Sequence, residues 1–277
     1  MKRLFIVLAY LMFVSFSTAV LMADITTDLV AYWPLDNDAR DSASDNHGTL
    51  EGGASMAADA KRGSVLNLDG VDGYVDIPDS ADFDITVDFT VAFWIKLPET
   101  FDSSSATSMP PVGMFGSNDY QMLLTLVGAG YTSGIPAEMM PPQGSMVFKV
   151  EDKSAGLAML YASTTTTLWE ADTWYHVTGV YNDADVTGHI YVDGELQGST
   201  RTQDSISALL KNVGGPIEIG RCQLEQIGGS VNYFHGRIDD VRIYSRALSE
   251  ADIHELLAVL SVEPAVKLAI TWGAIKR

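Results

Sequence analysis

Phe89-Thr-Val-Ala-Phe-Trp-Ile-Lys-Leu97 is the stretch whose reading decides the fold. Phe89, Val91, Phe93, Ile95 and Leu97 alternate with Thr90, Ala92, Trp94 and Lys96, and a period of two puts the first set on one face of a β-strand, the face of a core. Downstream, Trp174 to Tyr181 (WYHVTGVY) reads as a second strand. His189 to Val192 follows it and ends in Asp193-Gly194, the pair that supplies the positive φ angles of a two-residue hairpin turn. Further strands are expected at Val30 to Pro34, Val65 to Leu68, Tyr74 to Ile77, Tyr120 to Leu126, Met146 to Val150, Leu157 to Ser163, Ile217 to Gly220 and Gly236 to Tyr244. Clusters of Gly, Asp, Asn and Pro separate them and no amphipathic helix of normal length intervenes. The fold class is therefore all-β, with two packed antiparallel sheets.

One short C-terminal helix is expected. Ser249 is its N-cap, ahead of Glu250, Ala251 and Asp252, and Ile253, Leu256 and Leu257 share one side. The segment from Gly128 to Gly144 carries three prolines, four glycines and Met139-Met140, and reads as a long loop, either a functional one or a variable insertion. After the helix, residues 259–277 form a tail too short to fold alone.

At the other end, Lys2 and Arg3 precede an apolar run from Leu4 to Phe16, and Ser17, Thr18 and Ala19 follow. That order is a secretory signal peptide over residues 1–19, with a cut as late as Ala23 as the alternative. The expected location is secreted or extracellular, with the periplasm or a cell surface also open, and no membrane insertion after cleavage. The remainder, residues 24–258, is long enough for one large sandwich with a buried core. A formal charge of −19 repels phosphate backbones and anionic lipid, so nucleic acid is not an expected partner. Cys222 is the only cysteine, which rules out an intrachain disulfide and a cysteine-type zinc site. A small buried hydrophobe is the commoner fate of such a residue.

Several segments, in order, resemble the laminin G-like, concanavalin A-like jelly-roll family found in secreted proteins. They are Leu29 to Asp36 (LVAYWPLD), Asp41-Ser42 with Asn46 to Leu50 (NHGTL), Leu68 to Val75 (LDGVDGYV), Phe89 to Ile95, Trp174 to Thr178, Tyr191 to Gly194 (YVDG), and Gly236 to Tyr244 (GRIDDVRIY) with Arg246 to Ser249. The resemblance implies a jelly-roll sandwich over residues 24–258. It also implies a calcium ion of structural kind, because in that family a carboxylate of the opening strand and one of the closing Gly-x-Ile-Asp strand can meet at an edge. Here that joins Asp36 with Asp239, and Asp240 and the Asp69-Gly70 turn add oxygen. The EF-hand string is absent, since Asp36, Asp38 and Asp41 lack its spacing and its glycine.

The fold hosts both enzymes and binders. A glycosidase needs two carboxylates across the scissile bond; the glutamates here are scattered, and the one Glu-x-Asp-x-x-Glu string, Glu250 to Glu255, falls in the expected short helix and not on a strand. No Gly-x-Ser-x-Gly elbow, P-loop or dinucleotide fingerprint is present either. The expectation is a non-catalytic module whose partner is an extracellular glycan or protein. A structural surface or matrix component and a polysaccharide-active enzyme are the alternatives. Trp33, Trp94 and Trp174 sit in strand contexts and are expected in the core, Trp94 and Trp174 between the sheets. Trp169 lies in the loop before Trp174, and is the candidate exposed platform for stacking a ligand.

Overall fold

The computed structural model describes residues 24–104, 108–115, 120–129, 140–152, 158–199, 201–203, 214–222 and 231–260. The expected leader, residues 130–139 of the expected long loop, and the tail beyond 260 lie outside them.

In chain order the strands are β1 (Leu29–Trp33), β2 (Thr49–Glu51), β3 (Ser55–Asp59), β4 (Gly63–Asp69), β5 (Tyr74–Ile77) and β6 (Phe89–Lys96). Next come β7 (Met109–Phe115), β8 (Tyr120–Leu126), β9 (Met146–Asp152), β10 (Ala158–Ser163), β11 (Trp174–Asn182) and β12 (Thr187–Val192). The last are β13 (Glu195–Ser199), β14 (Arg201–Gln203), β15 (Ile217–Ile219), β16 (Arg221–Cys222), β17 (Asn232–Tyr233) and β18 (His235–Tyr244), followed by helix α1 (Glu250–Leu260). The first sheet runs β13-β12-β11-β6-β18-β4-β3, with β1 also on β18, and the second runs β14-β10-β9-β8-β7-β15-β5-β2. Every pairing is antiparallel, so the chain forms the jelly-roll sandwich expected.

The interior is apolar. Phe89, Val91, Phe93, Ile95 and Leu97 meet Leu124, Phe148, Val150, Ile217 and Ile219 of the second sheet. Gly179, in the middle of β11, has a physical reason to be glycine, since a Cβ there would sit 2.7 Å from the Phe148 ring. Trp33 is an interior anchor, its indole N–H donating to the Asn46 carbonyl at 2.9 Å.

Trp94 and Trp174 are not between the sheets. Alternation sends Trp94 to the outer face of the first sheet, where it packs with Ala92, Val180, Tyr191 and Tyr244 under Ile253 and Leu256 of α1, and half-buried Trp174 lies against the same cluster. A helix lid makes that face dry as well, so every residue of β6 except Lys96 is buried. Ser249 caps α1 as expected, accepting from the Asp252 N–H at 3.2 Å while Asp252 accepts from the Ser249 N–H at 2.8 Å.

Two strand features went against local pattern. β7 contains Pro110 and Pro111, which read as breakers, and the pairing with β8 shifts register between Met109 and Val112. The prolines thus occupy a bulge in which no ladder N–H is lost. In β18 the pairing with β6 shifts between Asp239 and Arg242, and Asp240 takes φ +52°. That extra residue leaves Ile238 and Val241 both in the interior while Asp239 and Asp240 turn to the outer side.

Candidate functional site

Pro98 follows the end of β6, and having no N–H it cannot extend the ladder. The chain then turns at the rim through Glu99, Thr100, Phe101 and Asp102. This turn walls a cleft of about 330 Å³, completed by Leu97, Met109 and His235. Leu97, Pro98, Phe101 and Met109 give it apolar surface. Glu99, Thr100, Asp102 and His235 supply polar groups, and the Asp102 carboxylate also accepts from the Ser104 N–H at 3.0 Å and its hydroxyl at 2.6 Å.

Trp169, expected to be exposed, is 0% exposed. Its indole N–H donates to the Gly144 carbonyl at 2.7 Å, and its ring meets Tyr175 edge-on at 5.0 Å. It braces the cleft from behind. The Phe101 N–H donates to the Trp169 carbonyl at 3.2 Å, and the Asp172 N–H to the Leu97 carbonyl at 2.8 Å. On the opposite wall His235 stands across from Asp69 in register. Gly70, at φ +72°, lets the neighbouring turn approach it, because a Cβ there would lie 2.7 Å from the His235 Cβ.

The four residues expected to hold calcium have other engagements. Asp69 accepts from the N–H groups of Val71 (2.9 Å), Gly73 (3.0 Å) and Asp72 (3.2 Å), and these bonds, Val71's foremost, hold its carboxyl below the usual range. Asp239 accepts from Arg62 Nε at 2.6 Å, and Asp240 pairs with the Nη2 of the same guanidinium. Asp36 is half-buried just past β1. No group of three or more His, Cys, Asp or Glu side chains that could hold a metal ion occurs among the described residues. Calcium needs six to eight oxygens, and two of the four carboxylates face an arginine instead, so these residues do not fit the ion.

Arg62 organises an ionic and aromatic layer on the outer face of the first sheet. Its guanidinium lies 4.3 Å from the Trp94 ring centroid and 5.4 Å from that of Trp174. Nearby, Arg242 covers the Tyr32 ring at 3.8 Å, and the Tyr32 hydroxyl donates to Asp240 at 2.6 Å. Asp59 receives Lys96, Arg237 (2.9 Å) and the Trp174 indole N–H (3.1 Å). Burial pushes the Asp59 carboxyl up, but its hydrogen bonds from Lys96, Lys61 and Trp174 overrule this and hold it well below the usual range. Burial first, and the charges of Arg242 and Arg62 after it, push His176 down to about 3, which keeps the imidazole neutral.

Sequence reasoning missed Arg62, which sits in the turn between β3 and β4, and the cleft, whose walls come from the ends of three strands. A signal for the cleft existed. Pro98 directly after the most apolar strand, followed by polar residues around a lone Phe101, marks a rim turn with a buried anchor.

The profile of the concanavalin A-like lectin/glucanases superfamily matches residues 69–254. No curated protein matches the chain in sequence. Among solved structures, the binding domain of Paraclostridial Mosquitocidal Protein 1 is similar with a TM-score of 0.61 at 16% identity, over 84% of this chain and 52% of that one. The binding domain of botulinum neurotoxin DC, in complex with SialylT, gives 0.61 at 14% identity, over 85% of this chain and 52% of that one. The chain therefore spans about half the length of these toxin domains. Domain 4 of an extracellular arabinanase from Geobacillus stearothermophilus, in complex with arabinotriose, gives 0.56 at 17% identity, over 83% of this chain and 98% of that domain.

Proposed function

Because the chain belongs to the concanavalin A-like lectin/glucanases superfamily, we propose that it is a non-catalytic module, exported from the cytoplasm, that binds a glycan in the cleft between Glu99 and His235. The observation that carries this reading is the cleft itself. A sugar offers an apolar ring face and a rim of hydroxyls, and the cleft pairs apolar Phe101, Met109 and Pro98 with polar Glu99, Thr100 and His235 on a braced wall. The likeness to a whole domain that was in complex with arabinotriose favours a glycan over a protein partner. The basic start and apolar run of residues 2–16 support export.

Hydrolysis is disfavoured by the placement of the carboxylates. A glycosidase sets one on each side of the bond to be broken, whereas Glu99 and Asp102 hang from a single turn and Asp102 is tied to Ser104. The test is a panel of immobilised neutral and charged glycans. We expect saturable retention without product, weakened about tenfold or more in a Glu99→Ala, His235→Ala double variant whose melting temperature matches the parent's. Release of product, or full retention by the double variant, overturns the reading.

A further inference from the structure

Close to the cleft, where β5 and the β16–β17 pair reach the same rim, a second group of side chains is held in place without any role in the core. Arg221 CZ lies 3.6 Å from the centroid of Tyr74, and the rings of Tyr74 and Tyr233 stand 6.4 Å apart at 52°. Arg221 is pinned from below by Glu218, which takes its Nε at 3.0 Å and its Nη2 as well. Glu218 is wholly buried, while Arg221, Tyr74 and Tyr233 are half-buried. Tyr74 is fixed a second time through its own loop. The Asp69 carboxylate ties down three backbone N–H groups of residues 71–73, and Asp72 accepts from the Gly53 N–H at 2.8 Å. Immobilising a partly exposed aromatic pair removes the entropy that a ligand would otherwise cost it, which is the arrangement of a recognition surface.

The position of this pair and the charge around it narrow what it takes. Tyr233 and His235 are two residues apart, so their Cα atoms lie within about 7 Å, and the turn that leads into Tyr74 meets His235 of the cleft at Gly70. The Arg221 guanidinium is already paired with Glu218. Among the described residues, acidic groups surround it: Glu51 and Asp76 beside Tyr74, Asp69 and Asp72 in the loop, Glu99 and Asp102 in the cleft. With a chain charge of −19, that field repels carboxylated or sulfated sugars. Resting on the glycan reading above, we infer that Tyr74 and Tyr233 are a second contact for the same ligand, and that this ligand is an uncharged oligosaccharide of at least two units.

The experiment is calorimetric titration at low salt with neutral oligosaccharides and with oligosaccharides of equal length carrying uronate or sulfate. We expect saturable binding of the neutral series, with the charged series at least tenfold weaker. Tyr74→Ala and Tyr233→Ala should each lower neutral affinity about tenfold, while Tyr233→Phe, which keeps the ring, should retain most of it. Tyr74→Leu keeps bulk without the ring, and stands in if the alanine variant fails to fold. Neutral binding that is lost in the cleft variants but untouched in the tyrosine variants overturns the second contact and leaves the cleft reading standing. Charged glycans bound as tightly as neutral ones overturn the ligand class. Binding of no glycan by the parent overturns both readings.

Discussion

On one side of β6, Phe89, Val91, Phe93 and Ile95 enter the space between the sheets; on the other, Ala92 and Trp94 enter the layer under α1. Both spaces exclude water, but they are built differently. The first is filled by apolar residues from the two inner faces, and any of them finds a similar neighbour wherever the strand lands. The second joins Trp94 and Trp174 to a guanidinium, two carboxylates and a neutral histidine, and its members are stable only in each other's presence. A core of the first kind tolerates imprecision, while a layer of the second kind fixes which residues meet, since a buried charge without its partner costs several kcal/mol.

The largest expected effect follows from that asymmetry. Arg62→Ala removes a cationic partner shared by Asp239 and Asp240 and opens space between Trp94 and Trp174, so we expect it to cost about 3–5 kcal/mol. Phe93→Ala, on the next-door residue's opposite face, should cost about the same through its cavity alone. The two differ in rescue. Asp239→Asn with Asp240→Asn should restore much of the stability lost in Arg62→Ala, because the buried negative charge that Arg62 balanced goes, and should do nothing for Phe93→Ala. Arg62→Lys should rescue poorly, since an ammonium cannot fork between two carboxylates as a guanidinium does. Urea unfolding of the set decides it. Equal behaviour of the two backgrounds toward the double Asn change would mean that the outer layer is packing and not charge pairing.

The same contrast explains what was legible in the sequence. Alternation in β6 and the strand-like runs of β11 and β18 are local signals and led to the sandwich, and Ser249 with Asp252 led to the helix. The layer under α1 left no such trace, because Arg62 and Asp239 are 177 positions apart and nothing near Arg62 distinguishes it from a surface arginine. The Asp239-Asp240 pair did leave one: Ile238 and Val241 are three apart instead of two, so a residue must bulge for both to face inward. β7 was hidden because Pro110-Pro111 breaks strand propensity, while the bulge that accommodates it is a matter of pairing. Trp169 was misplaced because a polar loop was taken to mean exposure, when the loop in fact folds its one large ring inward as a brace. The cleft escaped for a related reason, being assembled from strand ends that no window of sequence contains together.

A smaller effect tests whether the layer is as dry as the core. His176 lies edge-on to Trp94 at 5.1 Å, bonded weakly to Thr178 at 3.3 Å, and Arg242, Arg62 and Asp240 are the charges that act on it. Its folded pKa of about 3 is depressed from an ordinary 6.5, so the unfolded chain takes up the proton first as pH falls. The stability tied to the neutral ring is therefore complete above about pH 6.5 and is lost as pH drops toward the folded value. Between pH 7 and 4.5 the loss should reach about 2–3 kcal/mol. Unfolding free energies from urea titrations at the two pH values should fall further in the parent than in His176→Leu by that amount. Matching falls would mean that water reaches the imidazole.

The smallest effect expected is from calcium, and it bears on the identity of the cation in the outer layer. A metal held only by the folded state at about 100 times its dissociation constant adds about 2.7 kcal/mol, or about 5–11 °C in melting temperature for a chain of this size. At the Asp239-Asp240 bulge the cation is already present as Arg62, covalently part of the chain and stacked on two indoles. A calcium ion entering there would have to expel the guanidinium, lose those ring contacts and leave a positive side chain in a buried place. Asp69, another of the carboxylates expected to contribute, is committed to three backbone N–H groups of its own turn. Thermal melts in excess calcium and in chelator should therefore agree within about 1 °C, a small fraction of the shift a saturated site would give. A shift of several degrees that disappears in Asp239→Asn would mean that Arg62 yields to metal and that the layer is a metal site in its resting form, and one that survives the substitution would place the ion elsewhere in the chain.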